Sequence, residues 1–538
     1  MQSNLLHRLA AFVADTKAGT IPARVRTAAR RQALSVAGAV LSTRATALAD
    51  TILAAAPRDQ GAVRLWSDPE VRVGVDRAVW THASLSCAHD FDDYLFLGHT
   101  GHSAVTVPLA MAEQLNATLA EATTATVLAN EVAGRLGAAC LLGPQNGQLW
   151  TFVHLAAAAA AAARMLDLDR ETTWHALAIA LAHPPRALWA SFLAASATKA
   201  TFAASPALEG LRAARLAQAG MQGPTDILDH PQGFFRHFAF HPLRGVMTGL
   251  GKAWVTETLA YKIYPGCAYI DTTVDAILAL RGRFIERVGR DPIPDDLVSL
   301  DVRTTVLSTS MSALARLAGD SLHPNRLNFS IHENAAIAWI RGRLSPREME
   351  PSWLQTNGPL ILGLAARVSL THDWALTHRL LDALERSVSL SRLLAEVPLR
   401  AWLQMPRRAR EAYSGASPLG GRDLPRLLGL LLPVARRSLT HRKWPYDLGE
   451  QDLSRLTLPF AALLRARYRD GERDEHLALI PVGAPGRAFS ETAAAVAMKA
   501  RGAPGRPPTK DERAVHPYET LPGSTPVDEA LTVLLGEG

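Results

Sequence analysis

Residues 154–169 read H-L-A-A-A-A-A-A-A-A-R-M-L-D-L-D, and the reading of this stretch decides the architecture. Its eight alanines, Ala156–Ala163, are the best helix formers. A membrane span needs about 20 apolar residues, and alanine is a weak hydrophobe. Arg164, Asp167 and Asp169 follow at once, so His154–Leu166 reads as an internal helix whose small side chains let neighbours approach. Outward from it, Leu5–Thr16, Pro22–Leu41, Ala104–Leu115, Ala120–Gly137, Thr172–Ala182 and Leu208–Gly220 have helical spacing or strong helix formers. The character changes near Lys262. Leu297–Val306, L-V-S-L-D-V-R-T-T-V, alternates as a strand does, and Ala366–Leu370 reads as a short strand. Asn334–Arg341 reads as a helix, and Phe460–Tyr468 and Leu477–Val482 form a strand pair around Arg469-Asp470-Gly471. The expectation is a mostly α protein. An all-helical domain occupies residues 1–261, and a smaller α/β lid occupies 262–489 with a Leu- and Arg-rich helical insertion over 375–452. Residues 490–538 return to the helical domain, with a tail from Gly502 that its Pro, Gly and charge predict to be loosely ordered.

Composition narrows the class. A chain of 538 residues with 48% hydrophobic and 20% charged residues has ordinary globular composition and enough length for more than one domain. Three distant cysteines, Cys87, Cys140 and Cys267, indicate neither a disulfide framework nor a zinc site. Met1–Asp15 lacks the pattern of a signal peptide, so a cytoplasmic location is expected. The net charge of +7 comes from arginines scattered among acids, with no nucleic-acid-binding module. Neither a nucleic acid nor a membrane is expected as a partner.

The chemistry concentrates in Ala88–His102, A-H-D-F-D-D-Y-L-F-L-G-H-T-G-H, where three carboxylates and three imidazoles stand between apolar flanks. Buried groups of this kind must be paired and have readily shifted pKa values, which suits proton transfer. A polar turn with a capping aspartate is the plain alternative. Asp90 and Asp93 are three apart, so a helical turn would put them on one face.

The order of further segments resembles the MmgE/PrpD family of dehydratases, decarboxylases and epimerases. The markers are H-D-F-D-D (His89–Asp93), His102 before P-L-A-M-A-E (Pro108–Glu113), and E-V-A-G-R-L (Glu131–Leu136). After the alanine helix come Lys199 before E-G-L-R-A-A-R-L-A-Q-A-G (Glu209–Gly220), Q-G-F-F (Gln232–Phe235), K-I-Y-P-G-C (Lys262–Cys267) and N-F-S-I (Asn328–Ile331). The resemblance implies a helical domain with a lid, a homodimer, and an active site between the domains. It also implies action on small polycarboxylates without metal or organic cofactor. Asp90, His102 and Lys199 are then the catalytic candidates: His102 as acid/base, Asp90 to orient it or act as base, and Lys199 to anchor a carboxylate or donate a proton.

The departures matter as much. The family's histidine before the alanine helix is missing from G-Q-L-W, where Gln148 stands. Its histidine six residues after the proline of the K-x-Y-P motif falls at Asp271. The proline and tyrosine of its lid motif fall at His332 and Glu333, and a frequent histidine falls at Phe202. Tyr94, Gln148, Asp271, His332 and Glu333 are therefore the substrate-binding candidates. The loss of imidazoles argues against citrate-like substrates. The residues and the resemblance together favour a lyase or isomerase acting on a non-standard, biosynthetic substrate. A secondary-metabolite cyclase or epimerase is one alternative, and a catalytically silent scaffold or binding protein is another. Asp271 and Glu333 either make the pocket acidic or pair with arginines such as Arg326.

Overall fold

The structure, a computed structural model, describes residues 4–96, 98–143, 151–188, 191, 196–315, 322–398, 400–402, 404, 421–438 and 445–536. It is mostly α, with 60% helix and 9% strand. In the helical body, Asn4 caps Leu5–Asp15 by accepting from the Leu6 and His7 amides. Thr118 and Glu121 form a capping box that opens Leu119–Ala139. The alanine helix, Thr151–Met165, packs against Leu119–Ala139, Arg170–Ala182 and Ala204–Gln218. Ala156–Ala163 are all fully buried, as an internal helix requires. The approach is so close that a Cβ on Gly210 would collide with the Leu155 carbonyl oxygen and stand 2.7 Å from the Ala158 Cβ.

There are eight strands among the described residues: β1 (Val63–Leu65), β2 (Asp68–Val73), β3 (Asp93–Tyr94), β4 (Ala260–Tyr261), β5 (Leu297–Thr304), β6 (Val368–His372), β7 (Ala462–Tyr468) and β8 (Arg473–Ala478). The last four form one sheet in the order β6-β5-β7-β8, with β5 parallel to β6 and antiparallel to β7. Leu300 and Val302 of β5 and Leu464 of β7 bury against Ile277 and Ile337 in a second core distinct from that of the helical body. The helices behind that core are Asp271–Val288 and Ile331–Arg341. No single helix among the described residues is long and apolar enough to cross a membrane.

Three expectations change. The strand after the 469–471 turn begins at Arg473 and ends at Ala478, because antiparallel pairing starts directly at the turn and polar residues suit its exposed face. Residues 502–536 are ordered. They carry the helices Pro517–Thr520 and Val527–Leu535, and Tyr518, Val527, Leu531 and Leu534 join the main core. Four well-placed apolar side chains outweigh a polar average, and Glu519 reinforces them through a buried pair with Arg31 at 2.6 Å. The residues inserted between β6 and β7 include the helices Trp374–Val388 and Leu424–Ser438. Several of them (Val388, Leu393, Val397, Tyr446 and Leu448) bury into the core of the helical body. The stretch 414–420 of the expected break lies outside the described residues.

Candidate active site

The helix Val75–Cys87 ends just before the acidic stretch. Asp90 takes a left-handed φ of +52°, so the chain turns sharply there and Asp90 and Asp93 do not share a helical face. β3 then pairs with β4, Asp93 opposite Tyr261, and the Lys262 amide donates to Asp92 O at 3.1 Å. From the other side the Gly266 amide reaches the His89 and Asp90 carbonyl oxygens. Two distant segments are thereby fixed face to face.

Their side chains form a buried ionic cluster. Lys262 Nζ lies 2.7 Å from both Asp90 Oδ1 and Asp92 Oδ1, and it donates to Asp90 O at 3.0 Å. Lys199 Nζ reaches Asp90 Oδ2 at 2.9 Å. Oriented by its hydrogen-bond network, the Asn328 carboxamide oxygen accepts from Lys199 at 3.1 Å, so the N-F-S-I segment also touches the site. His99 Nδ1 bonds Asp92 Oδ2 at 2.7 Å, and His102 Nε2 approaches the same oxygen at 3.1 Å. Ser86 Oγ holds His102 Nδ1 at 2.8 Å. His154, on the alanine helix, bonds Ser103 through Nδ1 at 2.9 Å, with its ring 5.4 Å from that of His102. His99 and Tyr94 keep 7% and 9% exposure, whereas His102 has none, which marks the cluster's more open edge.

Behind the cluster, Lys499 crosses from the helix Phe489–Ala500 and passes Gly38, where a Cβ would stand 2.8 Å from its Cγ. Its ammonium donates to Phe91 O at 2.7 Å, Ser35 Oγ at 2.9 Å and Lys262 O at 3.2 Å, tying both site segments to the body.

The electrostatics follow from this geometry. Burial alone would raise the Asp90 and Asp92 pKa values. The Lys199 and Lys262 ammoniums outweigh it at Asp90, and Lys262 with His99 and His102 outweighs it at Asp92, so both fall below the usual carboxylate range. Burial also works against the Lys262 ammonium, but Asp90 and Asp92 raise its pKa overall. Lys499 is pushed down to about 7 by burial. Burial, seconded by Asp92, pushes Asp93 up to about 7 against its hydrogen bond from Gln32 Nε2 at 2.6 Å. Desolvation lowers the His99 pKa despite Asp92. Asp90, Asp92 and His99 each offer one ligand atom within 4.8 Å of the others, and these are the residues that could hold a metal ion. The Lys262 ammonium already occupies the space between the two carboxylates, so a metal would have to displace it.

The structure thus brings Asp90, His102 and Lys199 together. Tyr94 borders the same cluster through its ring contact with His99 at 6.2 Å. Asp271 is 2% exposed, and Lys262 and Asp90 are among the charges acting on it. Glu333 is engaged by Arg326 at 2.6 Å and by the Ser330 hydroxyl, so it sits in a neutralised pair. His332 opens the same helix, and Gln148 lies outside the described residues. Asp92, in sequence a turn partner, is the hub of the imidazoles. Lys262 is in sequence only a motif letter, and Lys499 carries no role there. A signal for Lys499 is nevertheless present: a lone lysine in the otherwise apolar 493–500 run.

A helical body with a small mixed sheet thus encloses a buried carboxylate–ammonium–imidazole cluster. Residues 7–243 match the MmgE/PrpD N-terminal domain, a likeness that covers less than half of the chain. The chain is 26% identical over 244 residues to cis-aconitate decarboxylase of Homo sapiens, over 44% of this chain and 50% of that protein. The chain therefore matches about half the length of this curated relative.

Proposed function

We propose that this chain is a cofactor-independent lyase or isomerase that moves a proton at a carbon next to a carboxylate or carbonyl of a non-standard, biosynthetic substrate. The observation that carries this reading is the shared Asp92 carboxylate. It fixes Nδ1 of His99 at 2.7 Å, which makes Nε2 the nitrogen that takes the proton. Lowered in pKa by burial, His99 is a neutral imidazole at working pH and thus a competent base. His102 is fully buried, with one nitrogen at Asp92 and the other at Ser86, and serves as a brace. Lys199 and Lys262 hold Asp90 ionised and place positive charge where an enolate would develop. The family likeness and the decarboxylase relative support the lyase class. Elimination and epimerisation begin by removing such a proton, and decarboxylation ends by adding one to the carbon that loses CO2.

The test is proton exchange in D2O, followed by NMR, over a panel of 2-oxo and unsaturated carboxylic acids. Wild-type protein is expected to exchange at least one of them, and His99→Asn is expected to lose about 10²–10⁴-fold while keeping its circular dichroism. Wild type no faster than His99→Asn across the panel would leave a silent scaffold. Turnover of cis-aconitate at an ordinary enzyme rate of about 10 s⁻¹ would refute the non-standard substrate.

A further inference from the structure

Asp271 begins the helix Asp271–Val288 and is 2% exposed. Neither of its carboxyl oxygens receives a hydrogen bond from the described residues, and Oδ1 is wholly enclosed without a partner. A buried carboxylate needs donors, and those near Asp271 are already engaged. Lys262 donates to Asp90 Oδ1 and Asp90 O, and its ammonium stands 2.7 Å from Asp92 Oδ1 as an ion pair. Lys499 donates to Phe91 O, Ser35 Oγ and Lys262 O. The other charged groups acting on Asp271 are Asp90 and Asp275, both acids. Asp275 is itself held by the Tyr264 hydroxyl at 2.6 Å and the Val482 amide at 2.9 Å. Of the charged groups that could act on the Tyr94 phenol, an ionised Asp271 would act most strongly.

The helix N-terminus, worth about 0.3–1 kcal/mol and up to about 2, favours the anion, as do the Lys262 and Lys499 ammoniums. Burying an unpaired carboxylate costs several kcal/mol, so desolvation wins. The raised pKa of Asp271, led by burial, agrees. A neutral carboxyl in turn carries an O–H that it can donate.

We propose that Asp271 works as a neutral carboxylic acid that donates its hydrogen to an oxygen of the bound substrate, and so selects a keto or enol oxygen there over a further carboxylate. The inference rests on the proton-transfer reading above and narrows its substrate class. A second carboxylate would need a cation at this point, and the two ammoniums in reach are spent on Asp90, Asp92, Ser35 and backbone carbonyls.

Infrared difference spectra between wild type and Asp271→Asn at pH 8 test the protonation state. At that pH Asp93, Asp275 and Glu396, pushed up to about 7, 6 and 7, are mostly ionised. The expected difference is a carboxylic-acid C=O band. A carboxylate band instead overturns the proposal. Calorimetry with 2-oxobutyrate and cis-aconitate tests the selection. Wild type is expected to bind 2-oxobutyrate more tightly than cis-aconitate. Asp271→Ala is expected to lose about tenfold for 2-oxobutyrate, and Asp271→Asn, which keeps a donor, less. Equal binding by wild type and Asp271→Ala, or a preference for cis-aconitate, overturns the selection. An acid band in a protein that exchanges no substrate proton would remove the proposed function and leave the neutral acid. A carboxylate band in an active enzyme would do the reverse.

Discussion

Replacing Lys262 with methionine keeps the length of the side chain and removes the ammonium that stands 2.7 Å from two carboxylates, both essentially buried. Removing one partner of a buried pair costs about 3–5 kcal/mol. The structure also sets a ceiling, because Asp90 or Asp92 can take up a proton instead. Protonating a carboxyl of ordinary pKa, about 3.9, at pH 7 costs about 4 kcal/mol, and about 1.5 kcal/mol at pH 5. The expected loss is therefore about 3–4 kcal/mol at pH 7, shrinking to about 1.5 at pH 5. The sign comes from the native pKa values. In wild type both acids lie below their unfolded values, so their contribution is full above about pH 4 and is lost as pH falls through the depressed native values. In the variant one acid lies above its unfolded value, so stability declines as pH rises from about 4 to 7. Urea unfolding followed by tryptophan fluorescence at pH 5 and pH 7 measures both numbers. Adding Asp92→Asn to the variant should recover part of the loss at pH 7. A loss below about 1 kcal/mol at pH 7, or the same loss at both pH values, would refute the reasoning.

Asp93, raised to about 7, makes the native state less stable as pH climbs from about 4 to 7, so Asp93→Asn should gain stability relative to wild type over that window, read from the same unfolding curves. Gly210→Ala drives a methyl into the Leu155 carbonyl oxygen and to 2.7 Å from the Ala158 Cβ, and should cost about 1–3 kcal/mol, seen as a lower thermal midpoint. A chain ending after residue 515 leaves Arg31, 5% exposed, without Glu519 and exposes the pocket of Tyr518 and Leu531. It should be destabilised by about 3–5 kcal/mol, and tail residues 516–536 in the intact protein should resist limited proteolysis.

Helical spacing and strong helix formers made most of the long helices of residues 5–218 legible, though not Ala47–Ala55 or Val75–Cys87, and alternation found β5 and β7. The tail misled because averaged polarity hides four anchoring side chains. At the site, Asp90, His102 and Lys199 were readable from the motifs, and the structure gathers all three. The hub was less legible. Nothing in H-D-F-D-D says that Asp92 turns inward, because that depends on the left-handed turn at Asp90 and on the pairing of Asp93 with Tyr261, a partner 168 positions away. For Glu333 the sequence left two alternatives open, an acidic pocket or a pair with an arginine such as Arg326, and the structure shows the pair. Lys499 was hidden for a related reason: its contacts are mostly with backbone carbonyls, and no sequence pattern marks a carbonyl.

Lys499 also has a consequence for how the protein is born. Its ammonium ties down Phe91 and Lys262, yet it is made more than four hundred residues after the first of them. A nascent chain that has delivered its acids to the ribosome exit must wait for Lys199, then Lys262, then Lys499 before the cluster can close. Until Lys199 and Lys262 are made these carboxylates lack their counterions, and until Lys499 is made the two site segments lack their tie to the body. Chains arrested before Lys499 should therefore be recognised by chaperones and proteases as unfinished, because the helix that locks the site is made after the rest of the cluster.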